Sequence, residues 1–305
     1  MSVAPNAPAA PLATPSPVAG AGAGGARGGV WRSTLLGGPL ATTATVVLGV
    51  LIVAAIIGPV IWGKDPAGID VANALQAPSA AHPMGTDANG RDVLARFLSG
   101  ARLSLAVAPI VVLVGALLGG LLGVLAGVTG GVVDSVIGRV MDAILAFPPL
   151  ILAMAVTVGL GTGVVTAGVG ITLTSIPWYA RLLRSDALRI RHRPFIEAAQ
   201  ALGATRRRVV LRHVVPHVMP TLLVQAASVF GYAILTLAAL GFVGLGAQPP
   251  TAEWGSMITD GLQYTLTGQW WIGVFPGVGV FLAVTAANIL ADRAGEVLDP
   301  RSRES

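Results

Sequence analysis

Three groups of residues in this chain have types and spacings that could support chemistry. Gly58-Pro59-Val60-Ile61-Trp62-Gly63-Lys64 has the glycine and lysine spacing of a phosphate-binding loop. Such a loop needs a Ser or Thr after the lysine to ligate magnesium, and a strand-to-helix turn to carry it. Here Asp65 follows, and the segment closes an apolar run, so a nucleotide site is not expected on this chain. His213 and His217 stand at i and i+4, a spacing at which one helix face can present a metal pair. Pro216 disturbs that helix, and no Cys or second carboxylate is near, so the two histidines and His192 read as polar boundary residues. Asn288 lies inside an apolar run, where polar groups face a bundle interior. It is either an interhelical hydrogen-bonding group or a contact on a solute path. No Ser/His, Asp/Asp or His/Glu grouping falls within the apolar runs, which argues against an intramembrane enzyme. Their centres hold no ionised residue, which argues against an ion-coupled carrier acting alone. No metal, cofactor or catalytic residue is expected.

A fourth group has a different use. Pro194–Pro220 reads as a short helix, a glycine turn and a basic helix between two long apolar runs. Pro194 suits a first helical turn, and Glu197 there complements the helix dipole. Gly203 supplies a left-handed stop. Thr205 can cap the second helix, which opens Arg206-Arg207-Arg208. The product is a helical hairpin standing off the bilayer. It could lie on anionic headgroups or receive force from a soluble partner. The helix Phe195–Leu202 has no basic residue, and a glycine-punctuated hairpin exceeds what a lipid contact requires, so the partner reading is preferred.

The elements that must position these residues follow from composition. The 305 residues are 54% hydrophobic and 11% charged, with a mean hydropathy of +0.77, against about 25% charged in soluble domains. There is no cysteine, hence no disulfide or thiolate site. A membrane span needs about 20 apolar residues. Uncharged runs cover Ala41–Trp62, Leu103–Val128, Ala143–Ala180, Val214–Leu245 and Trp270–Ala291. The third is long enough for two short spans turning at Gly161-Thr162-Gly163, which predicts an all-α integral membrane bundle of six spans. Both termini then share one side, and that side carries fifteen of the nineteen Arg and Lys residues. Positive residues mark the cytoplasm, so both termini are expected there. The same asymmetry makes the net charge of +5 a topology signal and not a nucleic-acid surface.

The expected organisation is a disordered cytoplasmic tail over 1–36, rich in Ala, Pro and Gly, with no cleavable signal. A first span over 37–62 follows, then an extracytoplasmic loop over 63–102 with an amphipathic segment. A five-span core occupies 103–291 with the hairpin loop at 194–213, and a cytoplasmic tail closes the chain at 292–305. Gly115, Gly119, Gly123 and Gly127 lie at spacing four on one face of the second span, where small residues admit another helix closely. That helix belongs either to this chain or to a second subunit. Pro109, Pro148, Pro149, Pro177 and Pro276 can kink their helices, which suits a mobile bundle or is simply accommodated by neighbours. Trp254, Trp270 and Trp271 form an outer aromatic belt or a docking face.

Several motifs also resemble a known family. Glu197-Ala198-Ala199, Gly203 and the basic helix look like the EAA loop of ABC importer permeases. His82-Pro83-Met84-Gly85-Thr86-Asp87, Gly90-Arg91-Asp92-Val93-Leu94 and Gly100-Ala101-Arg102-Leu103-Ser104-Leu105 resemble the dipeptide, oligopeptide and nickel permeases of the C type. So do Ala239–Gly246, Gln248-Pro249-Pro250, Glu253-Trp254-Gly255, Phe275-Pro276-Gly277 and Leu298-Asp299-Pro300-Arg301. The match runs in order over roughly Pro78–Arg301. It departs at His217, where the family usually has Asn, and at Ala291–Glu296, where the usual Leu and Arg are missing. The resemblance implies a type I, MetI-like permease fold in the bacterial cytoplasmic membrane. It also implies a B-type permease, two ATPase subunits that hold the ATP and magnesium, and an extracytoplasmic solute-binding protein. Dipeptides or oligopeptides are the implied cargo, with nickel complexes or haem as alternatives. Glu197, Ala198, Ala199, Gly203, Ala204, Arg206, Arg207 and Arg208 would couple the ATPases to the bundle.

Overall fold

The computed structural model describes residues 37–298. The tail expected over 1–36 and the last seven residues lie outside the described residues. Everything within them is helix and connecting loop apart from one antiparallel bridge, Thr86 to Asp92.

Helix α1 spans Pro39–Trp62, with proline in its first turn and Gly63 in the left-handed region at φ 66° closing it. A loop with a 3-10 turn at Val71–Asn73 leads to α2, Val93–Thr129. The sequence places a span from Leu103; the helix begins ten residues earlier, because Asp92 caps it by accepting the Ala95 N–H at 2.8 Å. Helix α3 covers Gly131–Leu145 and α4 Pro149–Leu160. Helix α5 is Val164–Arg191. The short helices α6, Pro194–Ala201, and α7, Arg206–Val209, run through a π-helical turn at Val210–Val214 into α8, Val215–Phe242. Helix α9 is Trp254–Thr265, and α10 is Trp271–Leu298.

Four helical runs are long and apolar enough to cross a bilayer: α1, α2, the run from Arg206 through α8, and α10. A fifth crossing exists if α3 and α4, bent by 89°, form one broken span. Two physical causes separate this from the expected count of six. Pro148 and Pro149 stop one helix and start the next, since proline clashes with a preceding helical turn. The remaining twelve residues of α4 reach only about 18 Å, short of the ~30 Å hydrocarbon core. Helix α5 has 28 residues, but Thr172, Thr174, Ser175, Pro177 and Tyr179 dilute its apolar stretch. Ser175 and Tyr179 are fully buried and Thr174 nearly so, so these polar groups sit within the bundle and not on its outer face.

The centre of the bundle is the α2–α5 pair. A Cβ at Gly119 would lie 2.5 Å from the Ile176 carbonyl oxygen, and one at Gly115 2.6 Å from the Ser175 hydroxyl. Gly123 meets the Ala180 carbonyl in the same way, and a Cβ at Gly127 would come within 2.7 Å of Ala187. The four glycines therefore admit this chain's own α5. Ion pairs from Arg184 to Asp134 and from Arg181 to Asp142 tie α3 to the far end of α5. Helices α8 and α10 pack on the other side, with Leu237, Leu240 and Ala283 inaccessible to solvent.

Candidate functional site

The hairpin of α6 and α7 hangs beyond the end of α5. His192 ends α5, Arg193 turns the chain, and Pro194 opens α6 with Glu197 in its first turn. After eight residues the chain reverses at Gly203, whose φ of 84° suits glycine and few other residues. The Thr205 hydroxyl then accepts the Arg208 N–H at 3.4 Å, starting α7. Ile196, Val209, Val214 and Val218 are buried and join the main core. The hairpin is thus rooted on the bundle by one aliphatic face.

Its other face is open. Phe195, Glu197, Ala198, Leu202, Gly203, Arg206, Arg207 and Arg208 are exposed, and Leu202 is 89% so. Ala199 and Ala204 are half-buried, joined by an Ala204 N–H to Ala199 carbonyl bond of 3.0 Å. Glu197 and the three arginines have no ion pair among the described residues. A cleft of about 270 Å³ separates the hairpin from the end of α2, lined by Thr129, Arg191, Glu197, Gln200 and Arg206.

The histidines have structural partners. The His217 ring stacks on Phe195 at 5.3 Å, and its Nδ1 lies 2.6 Å from the His213 carbonyl, which it caps. Among the described residues no group of three His, Cys, Asp or Glu could hold a metal ion. Asn288 sits on an exposed face of α10, its carboxamide oxygen against Gly231 of α8. The structure does not bring it near the hairpin.

The opposite end of the bundle carries a polar assembly that spacing alone did not single out. Asp87 accepts from Arg91 at 2.7 Å, and Arg96 lies 3.4 Å from both Asp87 and Asp260 of α9. Asp92 accepts from Trp62, Lys64 and the Ala95 N–H, with His82 Nδ1 at 2.8 Å. Burial alone would raise its carboxyl, but those donors outweigh it and hold it below the usual carboxylate range. Glu253 is inaccessible to solvent and accepts the N–H groups of Gly255 and Ser256 and the Ser104 hydroxyl. Burial dominates there and pushes its carboxyl up, as it does for Asp260 despite Arg96 and Arg91. The local signal was Asp92, an N-capping residue type, standing immediately before Val93-Leu94-Ala95. The contacts to Asp260 and Glu253 join residues about 150 positions apart and leave no local pattern.

The fold is a helical membrane bundle that roots an outward-facing hairpin at one end. The profile of the family described as "Binding-protein-dependent transport system inner membrane component" matches residues 119–304. The Probable D,D-dipeptide transport system permease protein DdpC of Escherichia coli K12 is 40% identical over 90% of this chain and 91% of its own. The Dipeptide transport system permease protein DppC of the same organism is 45% identical over 76% of this chain and 79% of its own. A chain of the inward-facing MetNI methionine ABC transporter superposes with a TM-score of 0.54 at 24% identity. That superposition covers 67% of this chain and 96% of the other and speaks for the fold alone. The chain belongs to the binding-protein-dependent transport system inner membrane component family. It is a C-type permease subunit of an ABC importer and not an enzyme.

Proposed function

We propose that this chain is one of two permeases in an ATP-driven importer that carries dipeptides or short oligopeptides into the cytoplasm. Both termini are cytoplasmic, and six crossings result if α3 with α4 form the third and α5 the fourth. The cargo assignment rests on relatives named for dipeptide transport, 37–45% identical over 76–90% of this chain. The B-type permease, two ATPase subunits and an extracytoplasmic solute-binding protein complete the assembly.

The observation that carries the mechanism is the two-faced hairpin. Ile196 and Val209 are 1% and 4% exposed and fix it to the bundle. Glu197, Ala198, Leu202 and Arg206–Arg208 remain open on the other face. An ATPase closing on that face displaces α6, and the buried root passes the displacement to α5 and α8. A bundle with two packings then alternates its opening.

Gly203→Asp tests this. Nothing lies within 4 Å of an added Cβ there, so the substitution acts on the backbone turn and the docking face. The variant is expected to insert and fold while losing coupling, so that ATP hydrolysis continues without uptake of labelled dipeptide. Wild-type uptake by the variant would refute the hairpin's role. Mass spectrometry of the gently solubilised complex tests the assembly independently: a second permease and ATPase subunits should co-purify.

A further inference from the structure

Arg102 has no hydrogen bond or ion pair among the described residues, although Lys64, Arg91 and Arg96 near it are all paired. It is exposed and lies nine residues into α2, directly before the uncharged run that starts at Leu103. Trp62 at the end of α1 donates to Asp92 at the start of α2, and Gly58 packs on Leu98. The two helices are therefore antiparallel and in step. Arg102 lies one turn past Leu98, about 6 Å deeper. Beside it the outward face of α1 stays apolar to its tip, with Val60 and Ile61 each 79% exposed. Helical side chains lean toward the N-terminus, which for α2 is this same membrane surface. The guanidinium is thereby aimed back at headgroup level.

The face below Arg102 specifies what can lie on it. Ile110, Leu113, Leu117, Leu121 and Leu125 are 44–69% exposed and follow Arg102 and Ala106 at helical spacing. From Ile110 to Leu125 every exposed position of α2 is Ile, Leu or Val. Helix interfaces in lipid are rich in small and hydrogen-bonding residues, and α2 has spent its glycines on α5. A smooth aliphatic stripe suits acyl chains. An unpaired guanidinium at its head, at headgroup level, suits an anionic lipid phosphate.

We propose that Arg102 and this stripe form a phospholipid site, with the guanidinium on the lipid phosphate and an acyl chain along Ile110–Leu125. Charge-assisted bonding from a planar guanidinium suits a phosphate. The site would fix the depth of α2, the helix on which α5 is packed.

The test titrates phosphatidylglycerol into the purified full-length chain in detergent, counting retained lipid by native mass spectrometry. Arg102→Leu should weaken retention of the tightest lipid by about tenfold or more, and Arg102→Lys should retain part of it. Diacylglycerol, lacking the phosphate, should not be retained. A photo-crosslinker at Leu113 in native membranes should yield lipid adducts. Retention of phosphatidylglycerol by Arg102→Leu equal to wild type would overturn the proposal. So would a Leu113 adduct to another protein, which would make this stripe a subunit interface.

Discussion

At the scale of single residues, the membrane surface opposite the hairpin is held by carboxylates whose environments push them in opposite directions. The folded Asp92 carboxyl lies below its unfolded value. It therefore contributes stability that is present above the ordinary carboxylate range and lost as pH falls through the folded value. Glu253 and Asp260 are raised, so their contribution is fullest below that range and lost as pH rises through their folded values. Thermal unfolding of the detergent-solubilised protein across acid pH should resolve the two. Asp92→Ala should cost about 1 kcal/mol from the lost cap alone and remove the acid-side loss. Glu253→Gln, which can still accept the Gly255 and Ser256 N–H groups, should flatten the decline seen as pH rises. If both variants keep the wild-type pH profile, these groups do not titrate as described. Asp92 was readable as a cap because it is an N-capping residue type directly before Val93-Leu94-Ala95. Glu253 was not, because a carboxylate in a loop gives no local sign that Ser104, on another helix, closes over it.

At the scale of elements, the α2–α5 contact depends on the absence of side chains. At Gly119 the obstacle to a Cβ is the Ile176 backbone carbonyl, which no rotamer change can move. Gly119→Leu should separate the pair and abolish stable folding, and Gly119→Ala should cost on the order of 1–3 kcal/mol. Gly138 of α3 has nothing within 4 Å of an added Cβ. Gly138→Ala should therefore be neutral or stabilising by up to about 1 kcal/mol. Melting curves of the three variants test this, and equal effects at the two sites would refute it. The spacing of four marked the glycine face in the sequence but named no partner helix. The turn at Gly161–Gly163 also stands where expected, with Gly161 at φ 96°. What the apolar run concealed was that its first half belongs to a helix only twelve residues long, entered through the Pro148-Pro149 break.

At the scale of the whole molecule, the hairpin and the polar assembly sit at opposite ends of one core. Helix α5 joins them, carrying the hairpin at Arg191 and the Gly161–Gly163 turn at its start. A cysteine at Leu202, 89% exposed, should crosslink to an ATPase subunit in membranes of the assembled importer. One at Ile196, 1% exposed, should not react until the hairpin is unfolded. Reversed reactivity would mean that the hairpin is rooted by its other face. The sequence by itself determined the membrane class, the helical content, the hairpin with its glycine reversal, and the glycine-bearing face of α2. Each follows from local hydropathy, spacing or backbone preference, which act within a few turns of chain. Only the tertiary structure decided that the glycines receive α5, that α3 and α4 form a bent pair, and that Arg96, Asp260, Ser104 and Glu253 meet. Those outcomes depend on which surfaces close over one another, and burial and ion pairing between distant segments leave no periodic trace in the chain.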